Sequence, residues 1–441
     1  MKRLLLGSLL VLTACNPQRG SWGLDAITTL KTPVDDPTLG CGVQLPADPS
    51  ASQRDACSFG RGDKPSTTLG IDSATAAKIP VRHVIVMMKE NRSFDHVFGK
   101  LHDLQPDVEA IPASFTNPDL SGAQVAMSHA TSTCLSLDPE HQFNAMTRAV
   151  DKGAMDGFVK NAALSTGSDG HFIMSYYEPA DLPFYHFLAS TYAVSDRHFA
   201  PAQSGTFCDR NFLLYGNYEG AVDTGIVFPN PSTPSLLHLL QNAGFTWGVY
   251  GDDQPFEGAM GWTQSFPGVH SMQALYDALD QGTLPNVVFV DAMENTEDDH
   301  PLADLQKGEV WAKKIYDHAV SSPQWKNLAI VYTYDEGGGF PDHVVPPSAC
   351  LAEPGSPFKD RGVRVPLVMI SPWAKRHFVS HTVHDHTAIT RFISTLFDLP
   401  ALSGRDANSD NLLDLFDFSC GRDLTVPAAP VPGSGGCASP P

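Results

Sequence analysis

Basic residues are scarce in this chain of 441 residues, where 29 Lys and Arg stand against 49 Asp and Glu and the formal charge is −20. Binding to a phosphate backbone needs clustered Lys and Arg, so the shortage excludes a nucleic-acid partner. It does not exclude a phosphate-bearing substrate, because a metal ion can supply positive charge locally. The eight cysteines include no CxxC pair, which argues against a thiolate metal centre. Beyond the first residues no apolar run is long enough to span a bilayer. Internal repeats and long linkers are also missing from the middle of the chain, so residues 80–420 read as one domain.

What is present begins with an address. "MKRLLLGSLLVLTAC" carries Lys2 and Arg3, a short apolar run, and small residues before Cys15. Residues 1–14 therefore read as a secretory signal. "LTAC" resembles a bacterial lipobox, in which the cysteine is lipidated and becomes the mature N-terminus. The expectation is an exported protein attached to the membrane of the bacterial cell envelope through Cys15, or secreted if the signal is an ordinary one. Export permits disulfides. Setting Cys15 aside leaves an odd number of cysteines, so at least one is free or pairs between chains. Cys41 and Cys57 suggest a short disulfide loop. Residues 15–79 read as a tether or loose lead-in and 421–441 as a Pro/Gly-rich tail. The "RGD" at Arg61–Asp63 is too short to argue for adhesion.

Within the domain, "HVIVMM" (83–88), "TWGVY" (246–250), "NVVFVDAM" (286–293), "NLAIVYTY" (327–334) and "VPLVMISP" (365–372) read as strands. Their unbroken apolarity suits strands covered on both faces. "GEVWAKKIYDHAV" (308–320) and "HTAITRFISTLFDL" (386–399) have helical spacing, the second placing Ile389, Phe392, Ile393, Leu396 and Phe397 on one face. This alternation predicts an α/β three-layer sandwich with a mostly parallel central sheet. Four of the strands run into acids: Glu90 beside Asn91, Asp252 with Asp253, Asp291, and Asp335 with Glu336. In a parallel sheet such ends share an edge, where α/β ligand sites lie. Carboxylates gathered there repel one another unless a cation holds them, so the pattern predicts a metal-dependent site.

Seven stretches carry a resemblance to a known family. They are "HVIVMMKENRSFDHVFG" (83–99), "DKGAMDGFV" (151–159), "YYEPADLPFYHFLASTYAVSDRHF" (176–199), "SGTFCDRNFLLYG" (204–216), "DDHPLADLQKGE" (298–309), "YDEGGGFPDHVVPP" (334–347) and "RVPLVMISPWAK" (364–375). In order and content they resemble the bacterial phosphoesterase family of phospholipases C and acid phosphatases. The resemblance implies an alkaline-phosphatase-like fold and one catalytic divalent metal.

By that resemblance Glu90, Asn91, Asp335 and Glu336 are the metal ligands. An oxygen-only shell suits calcium, magnesium or manganese, with zinc also open. Thr206 aligns with the family's hydroxyl nucleophile, with Ser204 as a nearby competitor. Arg210 would grip phosphate through its planar fork, and His141 and His300 would serve as acid, base or phosphoryl stabiliser. Asp209 replaces an uncharged amide and puts a carboxylate near the phosphate. Asp342 and His343 are expected to orient ligands, and Arg92, Ser93 and Asp95 to shape a turn. The function implied is metal-dependent hydrolysis of a phosphate ester through a phosphothreonine, of acid phosphatase or phospholipase C type. The chain ends soon after "LLDLFDF" (412–418), which favours the compact acid-phosphatase-like members. A non-catalytic lipoprotein that captures metal or phosphate is the alternative.

Overall fold

The apolar runs become strands because each buries both of its faces. β1 (His83–Lys89), β5 (Val287–Val290) and β6 (Leu328–Tyr334) are buried at every residue. Alternate side chains of a strand point to opposite faces, so the sheet here is covered above and below. The computed structural model describes residues 41–436 apart from 224–226, 228, 230–232, 253–254, 256–268 and 422–423. Residues 1–14, Cys15, Asp253 and Cys437 lie outside the described residues.

The remaining strands of the sheet are β2 (Ala193–Ser195), β3 (Trp247–Tyr250), β4 (Val269–His270), β7 (Leu367–Ile370) and β8 (Phe378–Ser380). Their order across the sheet is β8-β2-β7-β6-β1-β5-β3-β4. Every pairing is parallel except the two made by β7, which runs against β6 and β2. Residues 335–366, between β6 and β7, contain no helix. Without a crossover the chain re-enters the sheet at the end it left, and so runs antiparallel.

Helices cover the sheet in two groups. α2 (Pro183–Thr191), α4 (Met272–Gln281) and α5 (Leu305–Ser321) pack in one, and α3 (Thr206–Tyr215) and α6 (His386–Leu396) in the other. A short α1 (Phe94–Phe98) follows β1. The fold is an α/β sandwich with a mostly parallel central sheet. α6 departs from its expected one-sided pattern, since all of its residues are buried. Its hydroxyls satisfy backbone carbonyls instead of water: Thr390 donates to Leu213 O (2.6 Å) and Thr395 to Arg391 O (2.7 Å). Among the described residues no helix is long and apolar enough to cross a membrane.

The cysteines pair differently from the short loop suggested by their spacing. Cys41 bonds to Cys420 and Cys57 to Cys350. Cys134 is disulfide-bonded too, whereas Cys208 is free and buried. The lead-in is accordingly less loose than its composition suggests, because Leu69, Ile71 and Ile79 enter the main core. The end of the described tail also has fixed partners: Gly435 N donates to Gln306 Oε1 (3.2 Å) and Gly436 N to Asp304 Oδ2 (2.9 Å).

Candidate active site

Three neighbouring parallel strands deliver the polar residues. Met87 of β1 lies opposite Val290 of β5, and Lys89 opposite Tyr334 of β6. The residues that follow, Glu90 and Asn91, Asp291, and Asp335 and Glu336, therefore leave the sheet side by side. Two hydrogen bonds join the turns after β1 and β6: Asp335 N donates to Lys89 O (3.0 Å) and Asn91 N to Asp335 Oδ1 (3.1 Å). Asn91 adopts a left-handed φ of 62°, which Asn tolerates better than most residues. Gly338 (φ +58°) packs so close that a Cβ there would sit 2.2 Å from Asn91 O. Only glycine fits both that conformation and that approach. The fourth acidic strand end does not join them, since Asp252 Oδ1 accepts the N–H of Met272 (2.9 Å).

Three oxygens in this cluster are buried without a hydrogen-bond partner: Asn91 Oδ1, Glu336 Oε1 and Glu336 Oε2. The Asn91 amide nitrogen is engaged, 3.4 Å from His141 Nε2, which leaves its oxygen as the unmet atom. Burial, and then the nearby charges of Asp335, Asp209 and Glu90, push the Glu336 carboxyl well above its ordinary range. Glu90 is pushed up in the same way, first by burial and then by Asp335, with Arg210 opposing. Such frustration is what a buried acid cluster shows when no countercharge meets all of it. These hard oxygen donors fit a divalent cation.

Part of the countercharge comes from Arg210. Its guanidinium donates to Glu90 Oε1 (2.5 Å), Asp291 Oδ1 (2.8 Å) and Asp335 Oδ2 (3.4 Å), all buried. Arg210 thus meets three carboxylates where the sequence reading gave it a phosphate. It also brings in Asp291, which that reading placed at the sheet edge but not in the ligand set. Glu90, Asp335 and Glu336 are not one of the groups of His and acid ligand atoms that close within 4.8 Å of each other. Those groups are Asp138–His141–His300, Asp95–Asp342–His343 and His384–Asp410–Asp414.

Thr206 is the first residue of α3, with Gly205 as its N-cap. Residues four apart share a helix face, so Thr206 lies on the side from which Arg210 reaches the carboxylates. No hydrogen bond engages its hydroxyl among the described residues, and the residue is 7% exposed. Ser204 is otherwise committed, since its hydroxyl donates to Val222 O (2.5 Å). The Asp209 carboxyl is held against the turn, its Oδ1 accepting the N–H of Ala202 (2.8 Å). Burial pushes it well above the usual carboxylate range. Its second oxygen, Oδ2, is buried without a hydrogen-bond partner.

The two histidines approach each other with ring centroids 5.9 Å apart. His141 Nδ1 lies 2.7 Å from Pro139 O and His300 Nδ1 3.0 Å from Pro301 O. A carbonyl only accepts, so both Nδ1 atoms carry hydrogen and both Nε2 atoms are left for the site. His141 Nε2 is also 3.7 Å from Glu336 Oε1. Burial and then the adjacent His300 hold His141 below its ordinary pKa, against the pull of Asp138.

Two supporting networks were less visible in the sequence. Asp95 and Asp342 share Arg364, which donates Nη2 to Asp95 Oδ1 (2.9 Å) and Nε to Asp342 Oδ1 (2.8 Å), while His343 Nδ1 lies 2.7 Å from Asp95 Oδ2. These residues bond one another rather than the four expected ligands. They fix the turn after β1, where Ser93 caps α1 by accepting the N–H of His96 (3.3 Å). On the other side of β1, buried Lys89 lies 3.5 Å from Asp299, whose second oxygen accepts from Tyr185 (2.9 Å) and Tyr334 (2.7 Å). That network anchors the turn carrying His300. Its sequence signal was Lys89, a charge ending an otherwise apolar strand.

Comparison with known proteins adds the lineage. The family model described as "Phosphoesterase family" matches residues 81–400. Non-specific phospholipase C1 of Arabidopsis thaliana is 30% identical over 372 residues, covering 74% of this chain and 69% of that one. Non-hemolytic phospholipase C of Burkholderia pseudomallei is 28% identical, covering 72% of this chain and 55% of that one. Phospholipase C A of Mycobacterium tuberculosis is 27% identical and covers 79% of each. Among solved structures, an alkaline phosphatase superfamily protein of Vibrio parahaemolyticus aligns with 10% identity and a TM-score of 0.35, covering 71% of this chain and 78% of that one.

Proposed function

The chain belongs to the Phosphoesterase family of hydrolases acting on phosphoric ester bonds, and on that premise we propose a metal-dependent phospholipase C-type enzyme that works through a phosphothreonine at Thr206. The observation that carries the reading is the set of buried, unpartnered oxygens on Asn91 and Glu336. With Glu90 and Asp335 they would hold one divalent cation, which would supply Lewis-acid stabilisation of the phosphoryl group and lower the pKa of a nearby hydroxyl.

The residues divide the remaining work. Thr206 Oγ1 attacks phosphorus, a role supported by its unengaged hydroxyl at a helix N-terminus, where the dipole favours the anionic phosphoryl group. The bond from phosphorus to the diacylglycerol oxygen breaks, and that oxygen takes from His300, the more exposed of the two histidines, the proton that the Thr206 hydroxyl gives up. His300 then takes a proton from the water that attacks the phosphothreonine and passes it to Thr206 Oγ1 as the phosphorylated head group leaves, which restores both residues. His141, kept neutral by burial, orients the Asn91 amide so that its oxygen faces inward. Arg210 aligns Glu90, Asp291 and Asp335. Phospholipase C chemistry is favoured over a phosphomonoesterase because the curated relatives above carry that name.

Export is part of the proposal, with attachment through a lipidated Cys15. Its support is the disulfide content, which belongs to an oxidising compartment. The test is turnover of phosphatidylcholine, sphingomyelin, a nucleotide and an aryl phosphate by full-length enzyme, after chelation and after return of calcium, magnesium, manganese or zinc. Turnover of phosphatidylcholine that needs a returned metal and disappears in Thr206→Ala is the expected result. Preference for the aryl phosphate points to the acid-phosphatase type, and activity that survives chelation overturns the metal.

A further inference from the structure

The outer strands of the sheet carry a second set of ligands. His384 follows β8, and its Nδ1 lies 3.2 Å from Ser195 Oγ at the end of β2. The imidazole is 1% exposed, and its Nε2 forms no hydrogen bond. That nitrogen faces Asp410 Oδ1 at 3.4 Å and Asp414 Oδ1 at 3.8 Å. Asp414 Oδ1 is likewise buried without a hydrogen bond. The three ligand atoms all lie within 4.8 Å of one another.

Both carboxylates are steadied from behind. Asp414 Oδ2 accepts from the Ser380 hydroxyl and from Thr382 Oγ1 (3.3 Å). Asp410 Oδ1 accepts the N–H of Leu412 (3.0 Å) and keeps a second lone pair. Metal bonds of about 2.0–2.2 Å in a tetrahedral arrangement put neighbouring ligand atoms roughly 3.4 Å apart. The separations from His384 are close to that value. One imidazole nitrogen with two carboxylate oxygens suits a borderline transition cation better than calcium, which takes oxygen alone.

We propose that His384 Nε2, Asp410 Oδ1 and Asp414 Oδ1 form a binding site for a zinc-like divalent cation, separate from the catalytic edge. The bound ion is a staple. It fastens the segment that leads to Cys420 onto the outer strands β2 and β8, and it leaves one coordination position for water.

The test uses full-length, metal-free protein dialysed against zinc alone, with zinc per chain counted by mass spectrometry and melting temperature followed in parallel. Asp414→Asn, at a half-buried position, and His384→Gln are each compared with the parent. The pair is then repeated on a Glu336→Gln background, which weakens the catalytic edge. The expected result is the loss of one zinc per chain in both variants on both backgrounds, with a smaller zinc-induced rise in melting temperature. Equal zinc counts in parent and folded variants would overturn the proposal and leave an ion pair between His384 and the two acids. Because the count is a difference within one background, failure of the catalytic-cation reading lowers both totals without altering it.

Discussion

Two buried acid clusters grow from the same pair of turns, and they have opposite electrostatic characters. Asp95 and Asp342 are matched to Arg364 and His343, and all four of their carboxylate oxygens accept hydrogen bonds. A few residues earlier in each turn, Asn91 and Glu336 keep three oxygens unmet, even with Arg210 bonded to Glu90, Asp291 and Asp335. The first cluster is neutralised by the chain itself and serves as structure. The second is left short of positive charge. An acidic residue at a strand end says little alone, and what separates ligand from scaffold is whether the fold already supplies the counterion.

The comparison can be broken by substitution. The largest effect belongs to Thr206→Ala, whose kcat on a phosphate ester should fall about a thousandfold or more with the melting temperature unchanged. Glu336→Gln comes next. It should lower turnover about a hundredfold and reduce metal uptake, yet leave the metal-free protein as stable as the parent or more so, because a repelled carboxylate is removed. Arg364→Ala should do the reverse, costing about 3–5 kcal/mol in denaturant unfolding by stranding Asp95 and Asp342 as buried charges. If Arg364→Ala is neutral and Glu336→Gln unfolds the protein, the distinction between the two clusters fails.

A third acid sharpens the contrast through pH. Burial raises the Glu309 carboxyl to about 8, while its Oε1 accepts the N–H of Tyr185 (2.7 Å). Between its unfolded pKa near 4.5 and about 8, the folded state keeps a proton that the unfolded state has lost. Folding stability from this group is therefore full below pH 4.5 and declines as pH rises to 8. Glu309→Gln should show a melting-temperature advantage over the parent that grows across that window, measured by calorimetry at several pH values. The smallest expected effect is that of Ser204→Ala. Its turnover should stay within a few-fold of the parent, because that hydroxyl is committed to Val222 O.

Much of the sheet was legible because buried strands advertise themselves through unbroken apolar runs, as in "HVIVMM" and "NLAIVYTY". The reversal of β7 was not, since pairing direction depends on the route of residues 335–366 and not on the strand's own composition. The strand-end acids were visible one by one. Their sorting was not: Asp252 went to a helix start, and Asp291 joined Arg210. Arg210 was visible as a cation in a matching motif, but its three carboxylate partners come from strands far apart in the chain. The disulfides misled for a related reason, as proximity in sequence favoured Cys41 with Cys57.

That last mismatch has a consequence for biogenesis. Cys41 and Cys57 emerge from the ribosome early, and their partners Cys420 and Cys350 emerge 379 and 293 residues later. The early pair can close on each other at lower entropic cost than either native bridge. Correct oxidation must therefore wait for the C-terminal third to fold, and a disulfide isomerase that rescues premature pairs should raise the yield of active protein.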